Sequence, residues 1–182
     1  MWVYIILGIV AVLLIAVVGI YNRLAKQKVM VSEASADIET FQKQRYDMIP
    51  NLVEIVKGYA KHESETFQKV TEMRAKAMGA TSFEEKAKLE DQLSNMISKI
   101  FAVAENYPEL KANTNFLGLQ TNLKDLEDNI QKSRRYYNGA VRDFNSMIVI
   151  FPTNIIAQAL GFKAEPFFEA SDEEKKNVEI KF

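Results

Sequence analysis

The sequence predicts an all-α protein: an N-terminal transmembrane helix continuous with an up-and-down bundle of long antiparallel helices, the first kinked near Pro50. Three observations predict it. Residues 2–21 carry no charge and are dominated by Ile, Val, Leu and Ala. Between Tyr107 and Phe162, apolar or aromatic residues recur at Phe116, Leu119, Leu123, Leu126, Ile130, Tyr137, Val141, Phe144, Ile148 and Phe151. Gaps of three, four or seven keep one side of a helix apolar through about ten turns. Such a helix is roughly 53 Å long and needs partners of similar length, which the amphipathic stretches upstream supply.

Composition narrows the function. The chain has 182 residues, 48% of them hydrophobic, and a formal net charge of −1. Beyond the first 21 residues, about 160 remain, enough for one domain that buries over half of its unfolded surface. The mixed, near-neutral charge argues against nucleic acid as a partner, which would select a basic face. There is no cysteine, which excludes disulfides, thiolate metal sites and thiol nucleophiles.

The apolar run of residues 2–21 spans about 30 Å as a helix, the thickness of a bilayer's hydrocarbon core. A signal peptide would carry a basic region before the run and a small-residue cleavage site after it. Here only the α-amino group precedes the run, and Tyr21-Asn22-Arg23 follows. Retention as an anchor is the expectation. Trp2 and Tyr4 at one end and Tyr21 at the other suit the two membrane interfaces. Arg23, Lys26 and Lys28 follow the span and no Lys or Arg precedes it, so the positive-inside tendency places the C-terminal domain in the cytoplasm.

From Tyr21 to Gln44 no helix breaker occurs. Leu24, Val31, Ile38 and Ala34, Phe41, Met48 form two seven-spaced lines on one face, as in a coiled coil. The anchor is expected to pass without a joint into the first bundle helix, holding the domain rigidly to the bilayer. Pro50 removes a backbone donor and crowds the carbonyl four residues back. With no glycine nearby for a reversal, a kink is favoured over a hairpin, with Asp47 a candidate cap. Leu52, Ile55, Tyr59, Phe67, Val70 and Met73 then carry the stripe to about Ala77.

Gly79 to Ser82 is the first clear turn, and Ser82 with Glu85 makes a capping box. The next helix shows Leu89, Leu93, Met96, Ile97, Ile100, Val103 and Ala104, ending at Tyr107-Pro108. Asn113 or Thr114 caps the long helix, and Phe151-Pro152 ends it. Thr153 or Asn154 opens a short helix that Gly161 closes at C′. From Lys163 onward the chain reads as a loose tail, in which Val178, Ile180 and Phe182 alternate as a short strand. The expected organisation is thus an anchor at 1–21, a bundle domain at 22–162 and a tail at 163–182.

No constellation calls for catalysis. His62-Glu63 hints at a zinc protease, but that motif needs a second His four residues on. Position 66 is Thr and the chain has one His, so His62 reads as a solvated surface residue. A di-metal bundle site needs Glu-x-x-His pairs, and neither a nucleophile elbow nor a phosphate loop occurs. No catalytic, cofactor or metal residue is assigned. Arg45 and Arg134 fall on the apolar stripes. The favoured expectation lays their stems along apolar surface with the heads in water. The alternative is a buried network fixing bundle register, with Glu105 or Glu127 as acid. Tyr136-Tyr137 beside Arg134-Arg135 reads as core filling by Tyr137 rather than stacking on nucleic acid. Gly8, Ala11 and Gly19 lie roughly along one line of the anchor, where small residues allow helices to approach.

Several motifs in fixed order resemble the LemA family. They are Arg45-Tyr46-Asp47-Met48-Ile49-Pro50-Asn51-Leu52 and Val56-Lys57-Gly58-Tyr59-Ala60-Lys61-His62-Glu63, then Ala104-Glu105-Asn106-Tyr107-Pro108-Glu109-Leu110-Lys111-Ala112-Asn113. Arg134-Arg135-Tyr136-Tyr137-Asn138, Phe151-Pro152, Gly161-Phe162 and Pro166-Phe167-Phe168 complete the match. The resemblance implies a bacterial single-pass protein of the inner membrane with an N-terminal anchor and an up-and-down bundle. It implies no enzymatic activity, cofactor or catalytic residue, and associates relatives with magnetosome membranes and with membrane-protease or phosphatase-like genes. The family often has Trp where this chain has Asp37. The expected function is a non-enzymatic, self-associating membrane scaffold in membrane organisation or envelope stress. Its expected partners are the lipid bilayer and further copies of itself. The alternative is an adaptor regulating a separate membrane enzyme, with a membrane protein as partner.

Overall fold

The computed structural model describes residues 1–60 and 62–168. Among them the chain forms α1 (Trp2–Tyr59), α2 (Ser64–Gly79), α3 (Phe83–Ala104), α4 (Pro108–Lys111), α5 (Thr114–Val149) and α6 (Thr153–Ala159), with no strand. The fold is all-α, as the periodicity predicts. The strand expected around Val178, Ile180 and Phe182 lies outside the described residues. By contact the chain divides into two compact units, Met1–Asp37 with Ser133–Phe167, and Ile38–Lys132 with Phe168.

The expected jointless passage out of the apolar run is observed, since α1 is one helix from Trp2 to Tyr59. Its first part is long and apolar enough to cross a membrane, and none of that stretch is buried by the rest of the chain. In the first unit Leu24, Val31 and Ala34 of α1 are buried with Tyr137, Ala140, Val141 and Phe144 of α5 and Ala157 of α6. The α1 and α5 helices run antiparallel here. The Lys28 ammonium lies 5.7 Å from the centre of the Phe144 ring, while Tyr21, two turns nearer the N-terminus, meets Phe162 beyond the end of α5.

Gly161 takes φ +74°, a left-handed conformation that glycine adopts without penalty. The Phe162 N–H donates to the Ala157 carbonyl at 2.9 Å and the Gly161 N–H to that of Gln158 at 3.2 Å. That is the Schellman pattern for ending α6, and it places glycine at C′ as expected. Residues 163–168 correct the reading of a loose tail. The Asn145 amide both donates to the Glu165 carbonyl and accepts from its N–H, each at 2.9 Å. The Tyr137 hydroxyl donates to the Pro166 carbonyl at 3.0 Å, and Lys28 pairs with Glu165. Paired backbone groups hold this segment along α5, a contact no periodicity could announce.

In the second unit, α1 corrects two expectations. Asp47 caps no new helix, because α1 continues through Pro50. The stripe does not run on to Ala77 in the same helix either. It stops at Tyr59, and α2 starts at Ser64 and returns along α1, since Arg74 reaches the Tyr46 carbonyl. The reversal falls between the end of α1 and the start of α2, with no proline and only Gly58 nearby to mark it. Its reward is tertiary: Phe67, Val70 and Ala77 of α2 are buried in one core with Ile49, Leu52 and Val56 of α1 and Leu93, Ile97 and Ile100 of α3. Each fully buried Leu, Ile, Val or Phe there contributes about 1.5–3 kcal/mol.

Helix ends follow the predicted chemistry elsewhere. The Ser82 hydroxyl accepts from the Glu85 N–H at 3.1 Å and opens α3. Pro108 begins the single turn α4. The Asn113 side chain accepts from the N–H groups of Asn115 and Phe116 and caps α5. The α5 stripe is buried from Phe116 through Phe144, except that Leu119 is half-buried. Phe151, its last expected member, lies past the helix end and is exposed.

Candidate functional site

The heptad line that carries Leu24, Val31 and Ile38 reaches Arg45 seven residues later. The structure buries that residue to 1% exposure. This overturns the favoured expectation of a solvated guanidinium. Burial of a full charge demands a partner and satisfied hydrogen bonds, and α3 and α5 supply them. Arg45 Nη2 donates to Glu90 Oε2 and pairs with it. Arg45 Nη1 donates to Glu127 Oε2 and to Ser94 Oγ, the latter at 2.7 Å. The Ser94 hydroxyl lies 3.0 Å from Glu127 Oε2 and 3.2 Å from the Glu90 carbonyl, each within reach of its proton. Gln131 Nε2 donates to Glu127 Oε1 at 3.3 Å.

Tyr46, the next residue on α1, closes the network by donating its hydroxyl to Glu90 Oε1. Burial pushes the Tyr46 phenol far above its ordinary pKa, and the hydrogen bond to the Glu90 carboxylate pushes it further. It stays a neutral donor. Glu90 is fully enclosed and Glu127 remains a third exposed, so the polar centre meets water at one edge. One turn before Arg45, both side-chain polar atoms of Gln42 are buried with no hydrogen-bond partner among the described residues. A buried amide in that state costs about 1–3 kcal/mol.

Of the acids weighed from sequence, Glu127 is a partner and Glu105 is exposed. Glu90 was missed, although it lies on α3 between Leu89 and Leu93, the spacing that faces a core. Arg134 is half-buried. Tyr137 is buried and Tyr136 exposed, so Tyr137 fills the core as expected. Burial raises the Tyr137 phenol above its ordinary pKa, and the nearby Glu165 charge adds to the effect. His62 stands exposed in the break between α1 and α2, off any helix, which removes the spacing argument for a zinc-protease helix. No group of three or more His, Asp or Glu side chains is placed to hold a metal among the described residues. Asp37 is exposed.

Chemically, the centre holds one guanidinium against two carboxylates, a hydroxyl and a phenol. Three helices contribute to it. A slip of α1, α3 or α5 by one residue would separate a buried charge from its partner, so the arrangement specifies helix register. A shallow groove between α1 and α2 lies apart from it, lined by Ile49, Pro50, Val53, Glu54, Lys57, Thr71 and Arg74.

Residues 34–182 match the model of the LemA family. The chain is 30% identical over 163 residues to Protein LemA of Metamycoplasma hominis, covering 89% of this chain and 74% of that protein. It is also 32% identical over 75 residues to Magnetosome protein MamQ 2 of Paramagnetospirillum magneticum, covering 41% of this chain and 28% of the relative. Magnetosome protein MamQ of Magnetospirillum gryphiswaldense is 28% identical over 74 residues, 41% of this chain and 27% of the relative. With a family model spanning most of its length and a relative aligned over nearly all of it, the chain belongs to the LemA family.

Proposed function

We propose that this protein is a non-enzymatic, single-pass helical scaffold of the bacterial inner membrane, with its bundle in the cytoplasm, which self-associates to organise membrane. The observation that carries the reading is the unbroken course of α1 from an apolar span into the helix that bears Arg45. A helix without a joint transmits position, whereas a flexible linker would let a domain wander. Proteins that resemble a short segment of this chain, 74–75 residues, bear magnetosome names, which fits a part in membrane organisation.

The seven-spaced line Leu24, Val31 and Ile38 does not serve self-association, because the chain's own packing buries it. Assembly falls instead to the span, which is uncovered on all sides and carries Gly8, Ala11 and Gly19 for close helix approach. The test is native size measurement of the full chain after gentle solubilisation, with identification of whatever travels with it. Homo-oligomers support the scaffold. A different membrane protein at fixed stoichiometry, with little homo-oligomer, supports an adaptor instead, and monomers alone remove self-association.

A further inference from the structure

Between Asp143 and Lys163 no residue is charged. This stretch forms the end of α5, the corner at Phe151-Pro152, and α6. Part of it is core: Phe144 and Ala157 are buried. The corner itself is not. Val149, Ile150, Phe151, Ile155 and Leu160 are between 53% and 75% exposed. Past the span, the other exposed large apolar residues of the described chain (Val29, Tyr59, Met78, Leu117, Tyr136 and Phe167) are scattered singly. Isolated cases are normal on a protein surface, but a contiguous set marks a contact site.

Position within the first unit decides the occupant. The Phe162 ring, which closes α6, sits 6.4 Å from the Tyr21 ring and 6.2 Å from that of Phe144. Tyr21 ends the apolar run of α1. From Phe144 to Val149 the antiparallel α5 advances about 8 Å further toward the span, at about 1.5 Å per residue. That distance brings the corner level with the last turn of the apolar run, where a bilayer surface would lie. Basic residues stand at the same end: Arg23 and Lys26 follow the span, Lys163 closes the uncharged stretch, and Arg142, paired with Asp143, precedes it, all exposed. Exposed apolar side chains bordered by Lys and Arg are what an interfacial segment presents to acyl chains and anionic head groups.

The geometry points to a second membrane contact: the α5–α6 corner, residues 149–160, rests in the bilayer interface beside the span, with Phe151 and Ile155 in the acyl boundary. This rests on the anchor reading of residues 2–21, and the partner is an anionic lipid surface. The corner then clamps the bundle at a second point and restrains its rotation about α1.

The natural chain has no cysteine, so single-cysteine variants take one label each. Phe151→Cys, Ile155→Cys, Val10→Cys in mid-span and Lys99→Cys on exposed α3 surface would each carry a polarity-sensitive fluorophore. The full chain is placed in vesicles of phosphatidylcholine and phosphatidylglycerol, its helix content is checked, and the label is exposed to lipid-borne doxyl or aqueous iodide. The expected result is loss of emission at 151 and 155 to shallow doxyl and not to iodide, at 10 to deep doxyl, and at 99 to iodide alone. Iodide quenching at 151 and 155, with Val10 still in lipid, overturns the inference and leaves the anchor standing. Protection of 151 and 155 from both quenchers means that a second protein surface covers the corner, and also overturns it. Iodide quenching at position 10 removes the anchor and the inference together.

Discussion

Arg45 carries the one fully buried positive charge among the described residues, and its surroundings make it costly to remove. Arg45→Leu would leave the Glu90 carboxylate enclosed without a cation, a change that costs about 3–5 kcal/mol in comparable buried pairs. Urea unfolding followed by circular dichroism should show that loss, and an unchanged transition would contradict the network's role. Replacing both charges, as in Arg45→Met with Glu90→Leu, should recover most of it, because the isolated carboxylate is what costs. Tyr46 adds a pH signature. Its folded pKa is raised above the unfolded value of about 10. Its contribution is therefore complete below about pH 10 and is lost as the pH climbs beyond it, at up to about 1.4 kcal/mol per pH unit. The stability advantage of the natural protein over Tyr46→Phe should be flat below that pH and narrow above it. Urea midpoints across the alkaline range would show this, and a gap that stays constant would refute it.

Among the elements, α1 poses the sharpest question, because proline inside a helix costs about 3 kcal/mol or more. Pro50 has no N–H for the Tyr46 carbonyl, and the Arg74 side chain of α2 fills that place, its Nε donating at 2.7 Å. The helix–helix contact thus repairs the defect that proline makes. Arg74→Ala should cost about 1–2 kcal/mol beside Pro50 and clearly less beside Pro50→Ala, where a backbone N–H takes over. A double-mutant cycle with no coupling would refute the link. The same region shows what sequence could and could not tell. Proline was visible at Pro50, but its partner lay on a helix whose return, between α1 and α2, is marked by no proline. Local signals do mark other boundaries. Ser82, Asn113 and Gly161 each cap where the residue type demands, since caps depend on neighbours within a few positions. Arg45 broke the apolar pattern visibly; Glu90 did not stand out, because surface acids abound on α3. Only the packing of three helices distinguishes a buried carboxylate from a solvated one.

At the scale of the molecule, α1 carries both the apolar run and the residue that organises the polar centre of the bundle. The long apolar periods of α1 and α5 made the all-α class legible, because burial along many turns leaves a repeating trace. The seven-spaced line on α1 was legible as well, but sequence alone cannot say whether such a line meets its own chain or another. Here it is spent within the chain, which leaves the span as the surface for assembly and the α5–α6 corner for the bilayer. The claim beneath these readings is that residues 2–21 stay attached and hold the protein in the bilayer. Intact-mass measurement of the chain from carbonate-washed membranes tests it most directly. A membrane-bound species of 20.8 kDa that still carries residues 1–21 is the expected result, whereas a soluble chain beginning near Asn22 would refute retention of the span.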